Sequence, residues 1–462
     1  MKGIFVVGAG PAGMFAARQI AKAGFDVTLF NRDIKPGGLA EYGIYPTKDK
    51  MKFGLRKQFD KVLELPNVHY FGNVQIGTEY DLTIQDLEAM RPAAIVFACG
   101  AQGAGKLGIP GENAKGVYAA KEFVYSYNSL PPYATMDYST GKRVAIVGMG
   151  NVAIDIARWL LEDSPNRDIE EVVIIARRGP MEAKFDEKEI HYVDKHIDRA
   201  DLVAELDRVK DKCARCNQDV SPEVLFDEHF TNLKDPAFAS VLPKLTFRFL
   251  SSPTAILPDE NGRIARIEVA ENDLVLNPDG STKAVATNER TIIEADTLIF
   301  AIGDKHDPKI GLPMGPYGYA TQPDSGNADV PHFEVWNPDD ACALPGRFVV
   351  GWARRASTGL VGIARHDGEL GADKAIEFVK TAPESNTLGE QEIQARLEAH
   401  GLKPVTKEDL GLLGKAEVAA AAARNLSAFK YADNADMINA IVRERASVHA
   451  TRAEQVDALS VD

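Results

Sequence analysis

The run Gly3-Ile4-Phe5-Val6-Val7 stops at Gly8-Ala9-Gly10-Pro11-Ala12-Gly13, and Met14 to Ile20 then repeats apolar residues at helical spacing. An apolar run, a GxGxxG turn and an amphipathic helix read as strand, tight turn and helix. Each glycine has its own task. The first makes the turn, the second lets the backbone approach a pyrophosphate, and the third lets the helix pack on the strand, with the helix N-terminus facing the phosphates. Gly24 closes the helix and Val27 to Phe30 supplies a second strand, so the first thirty residues form one βαβ unit. The motif predicts a dinucleotide site at Gly8, Ala9, Gly10, Ala12 and Gly13; the alternative is a tight turn with no ligand. The second strand ends where an acidic residue commonly bonds ribose, and the chain has Asn31 there, whose amide keeps the capacity to bond a hydroxyl.

The pattern then restarts. Arg143 to Val147 leads into Gly148-Met149-Gly150-Asn151-Val152-Ala153, a GxGxxA variant with alanine at the helix-packing position. The strand after this second helix ends in Arg177-Arg178. An acidic residue there favours NAD, whereas forked guanidinium donors suit a 2′-phosphate, so the reading is NADP. The alternative is a solvated arginine pair at a strand end. The apolar runs AAIVFACG and TLIFAIG, the latter at residues 297–303, close the two units in the same way. These repeats predict an α/β fold of two Rossmann-like dinucleotide-binding domains, with residues 104–303 inserted into a domain built from 1–103 and 304–462. Beyond about residue 385 helical patterns dominate and form a C-terminal extension, in which Gly401 reads as a helix stop and residues past about 445 are expected to fray.

Composition narrows the function. A chain of 462 residues is too long for one core. Its net charge of −14 disfavours nucleic acid as a partner. With no run of eighteen apolar residues and no signal-peptide pattern, the expectation is a cytoplasmic protein that needs no membrane. Four cysteines give no disulfide framework. Cys213 and Cys216 form a single CxxC, which a metal site would have to complete with two further ligands and which a thioredoxin-like pair would usually place after a strand. They read as ordinary thiols, with a redox or metal role as the alternative.

The segments VVGAGPAG, PGGLAEYGIYP, GNVQIG, AKEFVYSYNSLP, GMGNVAIDIAR, ARRGPMEAKFDEKEI and GWARRASTG occur in this order across nearly the whole chain. Together they resemble the adrenodoxin-reductase type of ferredoxin–NADP reductase. The resemblance implies FAD in the first turn, joined by Gly38, Leu39 and Ile76, with Trp352 and Gly359, Leu360 and Val361 meeting the isoalloxazine. It implies NADP in the second turn, with Arg177, Arg178 and Glu189 in contact. Asp155 matches the family's acidic residue near the nicotinamide. Family members usually carry Asp-His after the proline of the first loop, but here Thr47-Lys48 follows Pro46, which raises a pairing of Lys48 with Asp155 as a catalytic candidate. An acidic ferredoxin would meet the stretch DRVKDKCARC, where Arg208, Lys210, Lys212 and Arg215 are interleaved with acidic residues.

The resemblance implies an enzyme that passes a hydride from NADPH to FAD and single electrons onward to a ferredoxin-type iron–sulfur protein, in either direction of flow. Two alternatives stand beside it: a reductase subunit or a reductase of another acceptor such as a quinone, and a flavin-binding regulatory module without turnover. Monomer and homodimer are both left open.

Overall fold

Strand β1 (Gly3–Val7) is buried along its whole length, as expected of a parallel strand covered on both faces. Ile4 and Val6 enter one hydrophobic cluster, Phe5 and Val7 the other, because successive side chains point to opposite faces. Helix α1 (Pro11–Lys22) covers the first face with Met14, Phe15, Ala17 and Ile20. β2 (Asp26–Phe30) runs parallel to β1, and β3 (Val68–Phe71) and β4 (Ala94–Phe97) extend the sheet on either side. Late strands complete it: 342–349 lies parallel to β4, with 334–337 antiparallel at the edge.

The computed structural model describes residues 2–235, 237–323, 332–355 and 361–459. The chain divides into two compact units, one comprising 1–103, 125–136 and 304–462, the other 104–124 and 137–303. In the first unit, Tyr125 and Leu130 of the 125–136 segment pack with Tyr42. The C-terminal helices Glu390–Ala399, Lys407–Ala423 and Asn434–Leu459 also belong to it. Thr406 caps the second of these in a reciprocal box with Asp409. Val405 exchanges backbone hydrogen bonds with Gly72 beside β3, which ties the extension to the sheet. The last helix runs past residue 445, where fraying was expected; Arg445 is ion-paired to Asp409.

The second unit centres on a five-stranded parallel sheet in the order 117–119, 297–300, 143–147, 171–175, 244–248. A three-stranded antiparallel sheet of 251–258, 264–276 and 282–294 accompanies it. Ile256, Ile264, Ile267 and Val269 of that sheet share a core with Ala145, Val147, Val173 and Leu298. Among the described residues no helix is long and apolar enough to cross a membrane.

Candidate functional site

Gly8 takes φ +104°, a conformation that disfavours any residue with a Cβ, and its N–H donates to Phe30 O at 2.8 Å. At Gly13 a Cβ would stand 1.8 Å from the Gly8 carbonyl oxygen, so α1 reaches β1 only because this position is bare. At Gly10 nothing lies within 4 Å of the added atom. Gly10 is also the N-cap of α1 and supplies no side-chain cap, so the helix's first amides are left for another acceptor. An open glycine at an uncapped helix N-terminus fits the pyrophosphate of a dinucleotide.

Residues around the turn hold it in shape. Ala9 N donates to Asn31 Oδ1 at 2.9 Å, and Asn31 Nδ2 reaches the carbonyls of Asp33 and Lys35 and the Tyr70 hydroxyl. The amide expected to meet a ribose therefore ties the turn to the end of β2; one lone pair of Oδ1 remains for a hydroxyl. Gly37 N donates to Ala9 O at 2.7 Å, and a Cβ on Gly38 would come within 3.2 Å of Gly10 Cα, so the Gly37–Gly38 loop lies over the turn. Helix α2 (Leu39–Tyr42) follows directly. Ile76 is buried in the core with Phe71, Val74 and Leu82. Ala12 packs beneath the late 361–381 helix, where a Cβ on Gly368 would meet Ala12 O at 2.3 Å.

Trp352 sits in a short 351–353 turn of the same unit. Gly351 N donates to Asp367 Oδ2 at 2.6 Å, Arg354 is ion-paired to Asp367 and lies 4.6 Å from the Phe333 ring centroid, and His306 Nε2 is 2.6 Å from Trp352 O. Asp367, Arg354 and His306 are the residues that sequence reading missed here. Gly359 and Leu360 lie outside the described residues, and Val361 opens the 361–381 helix.

The first loop is clamped by charge. Glu41 is 4% exposed and accepts two hydrogen bonds of 2.7 Å from Arg56, while Lys430 of the extension approaches to 2.5 Å. Burial alone would raise this carboxyl, but the Arg56 hydrogen bonds and the Lys430 charge outweigh it and hold it at about 2. Because that lies below the ordinary carboxylate value, the contribution to stability is complete above about pH 4.5 and is lost as pH falls toward 2. Glu41→Gln is expected to cost about 2 kcal/mol at neutral pH, since it leaves the half-buried Lys430 ammonium and the more exposed Arg56 guanidinium without their counter-charge. It should also flatten the acid limb of stability in that window; denaturation curves that fall in parallel for both proteins would refute this. Nearby, Lys52 is buried and donates to Asn128 Oδ1 at 2.8 Å, and burial pushes its ammonium down to about 8.

Lys48 is half-buried at the start of helix α3 (Asp49–Leu63) in the first unit; Asp155 is half-buried on the 151–158 helix of the second.

The second turn repeats the first. Gly148 takes φ +126°, and its Cβ would meet Ala301 O at 2.2 Å. Gly150 is open to 4 Å and stands as the N-cap of the 151–158 helix without a side-chain cap. Asn151 exchanges hydrogen bonds of 2.8 and 2.7 Å with Asp186, holding the 184–186 segment beside the turn; Val152 is exposed and Ala153 fully buried. Glu189 is half-buried in the short 187–190 helix that follows. Arg177 is exposed and Arg178 partly so, and neither guanidinium has a carboxylate partner among the described residues. By contrast, Arg208 pairs with Glu205 and Glu271, Lys210 with Asp207, Lys212 with Glu271 and Asp273, and Arg215 with Asp273.

Cys213 and Cys216 are buried near the C-terminal end of the 199–214 helix, and burial pushes the Cys213 thiol up to about 12. A thiol so placed yields almost no thiolate at neutral pH. Among the described residues no group of three or more acidic, histidine or cysteine side chains is set to hold a metal.

Two glycine-gated helix N-termini, each beside parallel strands and the second followed by two arginines without a carboxylate partner among the described residues, define an oxidoreductase of the two-dinucleotide type. Residues 2–228 match the pyridine nucleotide-disulphide oxidoreductase family. The NADPH-ferredoxin reductase FprA of Mycobacterium tuberculosis is 31% identical over 417 residues, covering 82% of this chain and 85% of that protein. The mitochondrial NADPH:adrenodoxin oxidoreductase of Bos taurus is 28% identical over 471 residues, covering 94% and 91%. A solved structure of the Mycobacterium tuberculosis FprA in complex with NADPH superposes with a TM-score of 0.78 at 28% identity, covering 96% of this chain and 99% of that one. The chain belongs to the adrenodoxin-reductase type of ferredoxin–NADP reductases.

Proposed function

We propose that this chain is an FAD-dependent oxidoreductase that takes electrons from NADPH and delivers them singly to a ferredoxin-type iron–sulfur protein in the cytoplasm. The observation that carries the reading is the pair of open glycines, Gly10 and Gly150, each at an uncapped helix N-terminus in its own unit. Bound flavin supplies the conversion between two-electron and one-electron chemistry. Gly10 and the first amides of α1 hold the FAD pyrophosphate, and Gly150, Asn151 and Val152 hold that of NADPH. Arg177 and Arg178 take the 2′-phosphate, with Glu189 close by. The turn carrying Trp352, braced by Asp367, would supply an aromatic side chain and backbone amides to orient the isoalloxazine. Lys48 and Asp155, one in each unit, are the candidate charged residues for the nicotinamide; unaltered flavin reduction rates in Lys48→His would remove the role of Lys48.

The direct test mixes the purified yellow protein with NADPH and ferredoxins of the source organism, with cytochrome c as final reporter. Rapid flavin bleaching without a ferredoxin-dependent signal would refute the acceptor and spare the cofactors.

A second observation bears on how the acceptor docks. Each basic residue of the 208–215 stretch is neutralised by its own acidic neighbour. Carrier reduction is therefore expected to lose less than about threefold in kcat/KM between low and physiological salt, where a free basic patch would lose tenfold or more. A steep salt dependence in stopped-flow measurements, abolished by Arg208→Ala or Lys212→Ala, would restore this stretch as the docking charge.

A further inference from the structure

The carbonyls of Ala176, Arg177 and Arg178 are all taken by donors at residues 250–251 and on the 264–276 strand. Ser251 N donates to Ala176 O at 2.9 Å, Asn272 Nδ2 to Arg177 O at 2.8 Å, and Leu250 N to Arg178 O at 3.2 Å. Two of these donors are backbone amides, which almost any residue would supply. The third is a side chain and depends on the sequence.

Asn272 is 1% exposed and lies where the pairing of 264–276 with 282–294 slips register, between Ala270 and Asn272. Such a slip re-aims a side chain relative to a regular strand. Its own N–H donates to Leu250 O at 2.7 Å, and Nδ2 also meets Ser252 Oγ at 2.8 Å. Its Oδ1 is buried without a hydrogen-bond partner. Reversing the amide would set an oxygen against the Arg177 carbonyl, so that acceptor fixes which way the group points. A buried oxygen without a partner destabilises the fold. Packing alone favours an apolar residue at this position; what asparagine adds is the donor.

We propose that Asn272 is a positioning residue for NADPH specificity: by holding the Arg177 carbonyl it fixes the direction in which the two guanidiniums leave the backbone. The inference rests on reading Arg177 and Arg178 as the 2′-phosphate contacts. Guanidinium–phosphate recognition is directional, so it suffers when the supporting backbone loosens. Contacts to the rest of the nucleotide do not pass through this carbonyl.

The test titrates the flavin-loaded wild type, Asn272→Asp and Asn272→Ala by calorimetry with 2′,5′-ADP and with 5′-AMP, which lacks the 2′-phosphate. Aspartate replaces the donor with an acceptor of the same shape; alanine removes it. The wild type is expected to prefer 2′,5′-ADP. Both variants are expected to weaken that ligand by about tenfold and 5′-AMP by less than about twofold. Equal losses for the two ligands, or an unchanged preference in either folded variant, overturn the proposal. A wild type that does not distinguish the ligands overturns the arginine reading, and the proposal with it. If Asn272→Asp does not fold, Asn272→Ala carries the same comparison.

Discussion

Gly13→Val is expected to yield little folded protein, whereas Gly10→Val is expected to fold and fail to turn yellow. Both glycines belong to one motif, yet they face different neighbours. At Gly13 the added Cβ would stand 1.8 Å from the Gly8 carbonyl oxygen and 3.1 Å from Ala98 Cβ. No rotamer relieves a clash between Cβ and backbone, so α1 must lift from β1 and take Met14, Phe15 and Ile20 out of the core. The cost exceeds about 4 kcal/mol, a large part of the stability of an ordinary domain. At Gly10 the protein offers no obstacle, and its φ of −73° suits any residue. A side chain there fills the space into which a pyrophosphate would come. Melting temperature and flavin absorbance separate the two outcomes. Wild-type flavin content in Gly10→Val would overturn the cradle, and wild-type stability in Gly13→Val would overturn the wedge.

The double variant Arg177→Ala plus Arg178→Ala is expected to lower the preference for NADPH over NADH by about 10² to 10⁴. Charge-assisted hydrogen bonds contribute about 1.5–3 kcal/mol each, and two lost contacts give a change of that order. The loss should fall on KM for NADPH, with kcat/KM for NADH nearly unchanged, because NADH has no phosphate for these groups to meet. Neither arginine is held by a carboxylate among the described residues, so their removal breaks no ion pair there. Steady-state kinetics with both donors decide the matter; an unchanged ratio would remove the 2′-phosphate assignment.

Much of this architecture was legible in the sequence because it is carried by local signals. The two strand–glycine–helix units declare themselves within thirty residues each, and the closing strands TLIFAIG and AAIVFACG end in glycine as parallel strands often do. The antiparallel sheet of 251–294 was not read, although Ile267 and Val269 alternate as a half-buried strand requires. Its bulges and exposed third strand blur the period. In the sites, glycine turns and arginines were visible, whereas their supports were not. Lys52 stands in a lysine-rich run that reads as solvated, and nothing in sequence says that Asn128 receives it. Asp367 sits inside a helix, where a carboxylate ordinarily faces water, yet it braces the Trp352 turn sixteen residues away. Asn272 likewise depends on a register slip that composition does not reveal.

The clamp on the first loop has a bearing on the order of events in a growing chain. Lys35 and Glu417 pair across 382 residues, and Glu41 waits as long for Lys430. The strands of the second unit, by contrast, have all been synthesised before residue 304 is added. Synthesis therefore completes the five-stranded parallel sheet while the first loop still lacks Glu417 and Lys430. A polypeptide released before residue 430 carries every glycine of both turns and still leaves Glu41 without one of its two cations. The clamp on the first loop is thus completed late in translation, although the glycine turn beneath that loop is the first thing translated.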